Sequence, residues 1–145
     1  MSELNKTIYS DHFKVLWNGK RGDQLQRFIA PNYRGFDVEE VIAGFEEYKR
    51  HFLTLTTAFP DVVITIQSIL AEQDLVSARY VVQATHRGDF AGIPPTGRRV
   101  LVTAQSVARI ENGLIVQEHA NPDSLGLLRQ LGVTSPSLKA APLIF

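Results

Sequence analysis

The chain has 145 residues, enough for one domain with a core of its own. Fifteen Lys and Arg balance fifteen Asp and Glu, which leaves no basic footprint for nucleic acid, and the lack of cysteine excludes disulfides and thiolate chemistry. The polar start, MSELNKTIYSDHF, lacks the apolar run of a signal peptide, and no stretch approaches the ~20 apolar residues that span a bilayer, so a cytoplasmic protein without a membrane partner is expected.

In chain order, residues 3–17 predict an amphipathic helix, with Ile8, Phe13, Leu16 and Trp17 at roughly helical spacing. DQLQRFIAP predicts a second, shorter helix, with Asp23 as its N-cap and Pro31 past its end. NYRGF is a short extended piece. Residues 39–58 carry the longest helical pattern, through Val41, Ile42, Phe45, Tyr48, Phe52 and Leu55, and FPD at 59–61 stops it.

The texture then changes to β-branched runs: VVITIQSIL, LVSARYVVQATH, RVLVTAQSVARI and LIVQEHA. AEQD and ENG are tight turns, and Asn112-Gly113 is a strong hairpin signal because both positions tolerate positive φ. GDFAGIPPTG is a longer loop. SLGLLRQLG predicts a closing helix, capped by Ser124 and followed by Gly132. Residues 1–133 form the expected domain, and 134–145 an extension without periodicity. Helices followed by an antiparallel meander give an α+β class, in which helices packed on one face of a curved sheet leave a pocket between the layers.

The last strand poses a question of facing. Gln117, His119, Asn121 and Asp123 occupy every second position, hence one face. With Asn112-Gly113 as a two-residue turn, Ile110 opposes Ile115, Ala108 opposes Gln117, Ser106 opposes His119, and Ala104 opposes Asn121. Cross-strand partners share a face. Large polar side chains opposite small ones leave empty volume, and the apolar Ile pair starts this face inward. Val76, Ala78, Tyr80, Val82, Ala84 and His86 alternate onto an inward face one strand back. The alternatives are a solvated strand face for the polar row, and a one-residue slip that would exchange the two faces. His12 and His51 sit among polar neighbours and carry no signal of their own. No His, Asp or Glu grouping has metal-ligand spacing, there is no phosphate-binding glycine loop, and no serine sits in a nucleophile elbow.

FPD, THRGDFAGIPPTGRRV, ENGLIVQEH and DSLGLLRQLG closely resemble the SnoaL-like polyketide cyclases of the nuclear-transport-factor-two-like superfamily, over about residues 5–133. The resemblance implies a cone: N-terminal helices on a strongly curved, mainly antiparallel sheet around an internal pocket. It implies closure of a polyketide-derived polycyclic ketone by intramolecular aldol condensation, with no cofactor and no metal. Asp123 matches the family's proposed acid/base. His119 and His86 join it as candidate catalytic groups. Asn121, Tyr80 and Ser106 are candidates for holding the substrate, and Trp17, Phe52 and Phe90 for walling a flat ligand. A cofactor-free hydroxylase, isomerase or dehydratase, or a non-catalytic binding module, is the alternative. Relatives commonly pair sheet against sheet, so a homodimer or homotetramer is expected.

Overall fold

The computed structural model describes residues 2–133 and 142–145. Helix α1 (Ser2–His12) buries Asn5, Tyr9 and His12, and runs on as a wider π-type turn over Phe13–Asn18 that buries Phe13, Leu16 and Trp17. The two together occupy the expected first helix. Asn18 ends it by donating to the Ile64 carbonyl at 2.9 Å and accepting from the Ile64 N–H at 2.6 Å, which ties the helical layer to the sheet.

Two expected helices are shortened by strands. Only Gly22–Arg27 is helical, as a 3-10 segment, and Asp23 caps nothing there but pairs with Arg21 at 2.9 Å. Ile29 to Phe36 form strand β1. Pro31 is accommodated at a register irregularity between Ile29 and Arg34, where a missing N–H costs least. Likewise Glu40–Ala43 is strand β2, paired antiparallel to β1, and helix α2 begins only at Phe45 and runs to Ala58. The β-branched pair Val41 and Ile42 suits a strand. Gly44, at φ +90°, supplies the sharp turn into the helix, and the Glu47 carboxylate accepts the Ala43 N–H.

The four later runs form strands β3 (Val63–Glu72), β4 (Leu75–Thr85), β5 (Arg99–Glu111) and β6 (Leu114–Pro122), followed by helix α3 (Ser124–Gln130). The sheet order is β2-β1-β6-β5-β4-β3. All neighbours are antiparallel except β1 and β6, which run parallel. This mixed sheet curls without closing, and α1, α2 and the π-type turn lie in its concavity: the α+β cone. Asn112 at φ +52° and Gly113 at φ +77° make the expected β5–β6 turn.

The interior contains one segment from outside the expected domain. Leu143, Ile144 and Phe145 are buried in the main core. Phe145 meets the Trp17 ring edge-on at 5.0 Å. Residues 134–141 of the expected extension lie outside the described residues.

Candidate functional site

The turn sets the first pairs as expected, Glu111 with Leu114 and Ile110 with Ile115. The register then shifts. Arg109 pairs with Gln117, Ala108 with Glu118, Val107 with His119, Ser106 with Ala120, and Gln105 with Asn121. Val116 is the extra residue of a β-bulge. One extra residue in a period-two element exchanges every later side chain between faces. The polar row is therefore corrected: His119 and Asn121 point outward and are exposed, and Glu118 points in. His119 stacks on Phe36 at 4.6 Å and 8°, with the Arg34 guanidinium 5.3 Å from the same ring, on the outside of the sheet. Asp123 is also exposed. It is the N-cap of α3, where Ser124 was expected, and its carboxylate accepts the Gly126 N–H at 2.9 Å.

Glu118 is fully buried, 0% exposed. The Tyr9 hydroxyl donates to its Oε2 at 2.5 Å and the Tyr33 hydroxyl to its Oε1 at 2.9 Å. Ser106 Oγ lies 2.6 Å from the Tyr9 oxygen. With the Tyr9 proton committed to the carboxylate, Ser106 is the donor in that pair. Ala108 is its cross-strand partner on β5. Gly35 is the β1 partner of Glu118. A Cβ there would stand 2.9 Å from Tyr33 Oη and 3.0 Å from Ile144 Cδ1, so glycine keeps the Tyr33–Glu118 bond and the C-terminal segment in place.

Burial is the largest influence on this carboxyl and pushes its pKa up to about 7, against the downward pull of the two tyrosine hydrogen bonds. Burial, reinforced by the Glu118 charge, pushes Tyr9 and Tyr33 well above their ordinary range, so both stay donors.

Several sequence-selected residues do come together inside. Tyr80, Ser106, His86, Trp17, Phe52 and Phe90 are all buried. His86 Nδ1 accepts the Thr96 N–H at 3.2 Å, which places its proton on Nε2, and that buried N–H has no partner among the described residues. Tyr80 Oη, Tyr48 Oη and Trp17 Nε1 are equally unpartnered. Tyr48 Oη is near enough to Trp17, and Tyr80 Oη to Ser106, for the neighbour to influence its acidity, but neither pair meets hydrogen-bond geometry. These four buried polar groups are available to a polar-edged ligand in the interior.

Sequence reasoning missed Glu118, Tyr9, Tyr33, His12 and His51. His12 is fully buried, stacked on Tyr9 at 4.7 Å. His51 Nε2 donates to the Ile144 carbonyl at 2.5 Å. Burial brings both imidazoles down to about 4, so both are neutral at physiological pH. The signals available were helical: Asn5, Tyr9 and His12 share the buried stripe of α1, and His51 follows Tyr48 by three and precedes Leu55 by four on α2. Among the described residues, no three His, Asp or Glu side chains gather into a metal-binding group, and no helix is long and apolar enough to cross a membrane.

The fold, a curled sheet wrapped on helices, is matched by known proteins. The profile of the SnoaL-like polyketide cyclases matches residues 8–131, and the chain belongs to that family. Among solved structures, AclR of Streptomyces galilaeus, for which a hydroxylase role has been suggested, is 26% identical, with a TM-score of 0.83 over 96% of this chain and 87% of its own. TsrD of Streptomyces laurentii is 28% identical, with a TM-score of 0.82 over 92% and 98%. IdmH of Streptomyces antibioticus, a proposed polyketide cyclase, is 26% identical, with a TM-score of 0.75 over 89% and 99%. No curated protein matches the chain significantly.

Proposed function

We propose that the protein is a cofactor-independent enzyme that moves protons on a polyketide-like polycyclic ketone, with Glu118 as the acid/base and intramolecular aldol cyclisation as the reaction. One observation carries this reading: a carboxyl in the cone interior, held by Tyr9 and Tyr33, whose pKa of about 7 suits both accepting and returning a proton at neutral pH. Asp123, the residue the family resemblance selects, has the geometry of a solvated helix cap instead. Glu118 removes a proton from a carbon flanked by carbonyls, and the electron pair moves onto the carbonyl oxygen. The enolate carbon attacks a second carbonyl of the same molecule, and the new alkoxide takes the proton back from Glu118. The product is an isomer of the substrate, and no oxidant or reductant is consumed. Tyr80 Oη, close enough to Glu118 for the carboxylate to raise its pKa, is the donor for the developing oxyanion.

The test is deuterium uptake from D2O into an aryl 1,3-dicarbonyl compound. Glu118→Gln should slow it by roughly 10²–10⁴, and Asp123→Asn should leave it near the wild-type rate. The reverse pattern would return the role to Asp123. The likeness to AclR favours a second reading, hydroxylation on the same scaffold, which stoichiometric oxygen uptake with substrate would reveal.

We propose further that the protein is a homo-oligomer. The outer sheet face leaves Leu70, Leu101 and Val107 at 71%, 51% and 41% exposure. Isologous pairing of that face would cover them, and sedimentation showing a monomer at micromolar concentration would refute it.

A further inference from the structure

The interior that holds Glu118 is filled by the chain's own C-terminal residues. Leu143 and Phe145, with Phe59, Val62, Val82, Val100 and Leu127 among their neighbours, leave a space of only about 10 Å³, room for one water centre. Ile144 reaches the Gly35–Tyr33 corner beside Glu118. Two main-chain oxygens of this segment face two imidazoles, the buried His12 and the half-buried His51. Ile144 O accepts from His51 Nε2 at 2.5 Å, and Phe145 O lies 3.2 Å from His12 Nε2.

The fit at His12 is imperfect in an informative way. Its Nδ1 is 2.7 Å from the Tyr9 carbonyl, closer than its Nε2 is to Phe145 O. A neutral imidazole has one N–H. The shorter contact takes it, so Nε2 presents a lone pair to a main-chain oxygen of Phe145: acceptor against acceptor. An O–H at that place would satisfy both. Beside these, Tyr48 Oη and Trp17 Nε1 are buried donors without partners among the described residues, and Trp17 is the ring on which Phe145 rests.

We infer that residues 143–145 occupy the ligand chamber as an intramolecular stand-in, and that a ligand displaces them: a flat apolar molecule whose carbonyl accepts from His51 and whose neighbouring hydroxyl, a phenol or an enol, donates to His12. The enol of a 1,3-dicarbonyl joined to an aromatic ring has this pair of oxygens. The inference rests on the reading of the cone interior as the substrate site and adds the residues that recognise the substrate and the segment that competes with it. Ligand affinity in the full chain is then reduced by the fraction of molecules whose segment is seated.

The experiment uses 1,8-dihydroxyanthraquinone as probe and 9,10-anthraquinone, which lacks the hydroxyls, as comparator. Trp17 is the chain's single tryptophan, so its fluorescence reads the chamber directly. In the full-length chain, Phe145→Ala should tighten the dihydroxy probe at least tenfold by weakening its competitor. In that background His51→Leu should cost about tenfold, with His51→Gln, which keeps an N–H donor, restoring most of it. His12→Leu should weaken the dihydroxy probe and leave the comparator unchanged. Unchanged or weaker probe binding in Phe145→Ala overturns the displacement. Should that variant not fold, para-fluorophenylalanine at 145 keeps the packing. Its fluorine resonance should move to the free-peptide position as probe is added to the otherwise wild-type protein, and a resonance that stays put at saturation overturns the proposal. These are binding readouts and do not require Glu118 to act as a base. Loss of deuterium exchange in Glu118→Gln together with a passive Phe145 would refute displacement alone; the opposite pattern would refute the acid/base assignment alone.

Discussion

The buried Glu118 makes a prediction that needs no substrate. Its pKa is raised in the fold from 4.5 to about 7, whereas those of His12 and His51 are lowered from 6.5 to about 4. Between these values the two kinds of group act in opposite directions. From pH 4.5 to 6.5 the native protein holds a proton on Glu118 that the unfolded chain releases, so this group's stabilisation is full below pH 4.5 and is lost as pH rises towards and through 7. Over the same range the unfolded chain holds protons on both histidines that the native protein excludes, so their contribution grows as pH rises. The net difference is about two protons minus one. At about 1.4 kcal/mol per proton and pH unit, and allowing for partial titration at the ends, stability should rise by about 2 kcal/mol from pH 4.5 to 6.5. Glu118→Gln removes the opposing group and keeps the shape, with the amide oxygen still able to accept from a tyrosine. Its stability should rise by about 4 kcal/mol over the same range. Urea unfolding at half-unit pH steps, followed by Trp17 fluorescence, measures both slopes. Groups that the two proteins share cancel in the comparison. Parallel pH profiles would refute a protonatable carboxyl at the centre of the cone, whatever its catalytic role.

Three further changes test the geometry. Gly35→Ala should push a methyl against Tyr33 Oη and Ile144, breaking the Tyr33–Glu118 bond at a cost of about 1–3 kcal/mol; circular dichroism melts would show it, and an unchanged midpoint would mean the corner is loose. Asp123→Ala should cost about 1 kcal/mol through loss of the α3 cap, with deuterium exchange retained, as judged by denaturant midpoint and exchange rate measured together. His119→Ala should change stability by under about 1 kcal/mol and leave exchange intact, because its ring stacks on Phe36 outside the sheet; a hundredfold loss of exchange would show that it reaches the interior.

The class and family were legible because their signals are redundant. Four β-branched runs, one two-residue turn and a long motif match all point to the same cone. The helix boundaries failed where a helical spacing of apolar residues ran through β-branched or extended stretches, at 29–31 and 40–43. There, pairing with β6 and across the β1–β2 hairpin outweighed local pattern. The site failed for a narrower reason. The choice of inward face on β6 was made from a correct turn and an assumed regular ladder, and one extra residue, Val116, reversed everything beyond it. Regular pairing would have buried Gln117, His119 and Asn121 against Ala108, Ser106 and Ala104, of which only Ser106 has a side chain that can hydrogen-bond. The bulge gives up one ladder position and buries a single carboxyl, for which Tyr9 from α1 and Tyr33 from β1 supply donors. Those donors come from elements 109 and 85 residues away in sequence, so the strand alone could not announce them. The same holds for the C-terminal segment. In the sequence it is only an extension without periodicity. Only the fold shows that the main core covers Leu143, Ile144 and Phe145, with His12 and His51 turned towards the main-chain oxygens of Phe145 and Ile144. Polar contacts made this far apart in sequence carry no period, and period is what a single sequence displays.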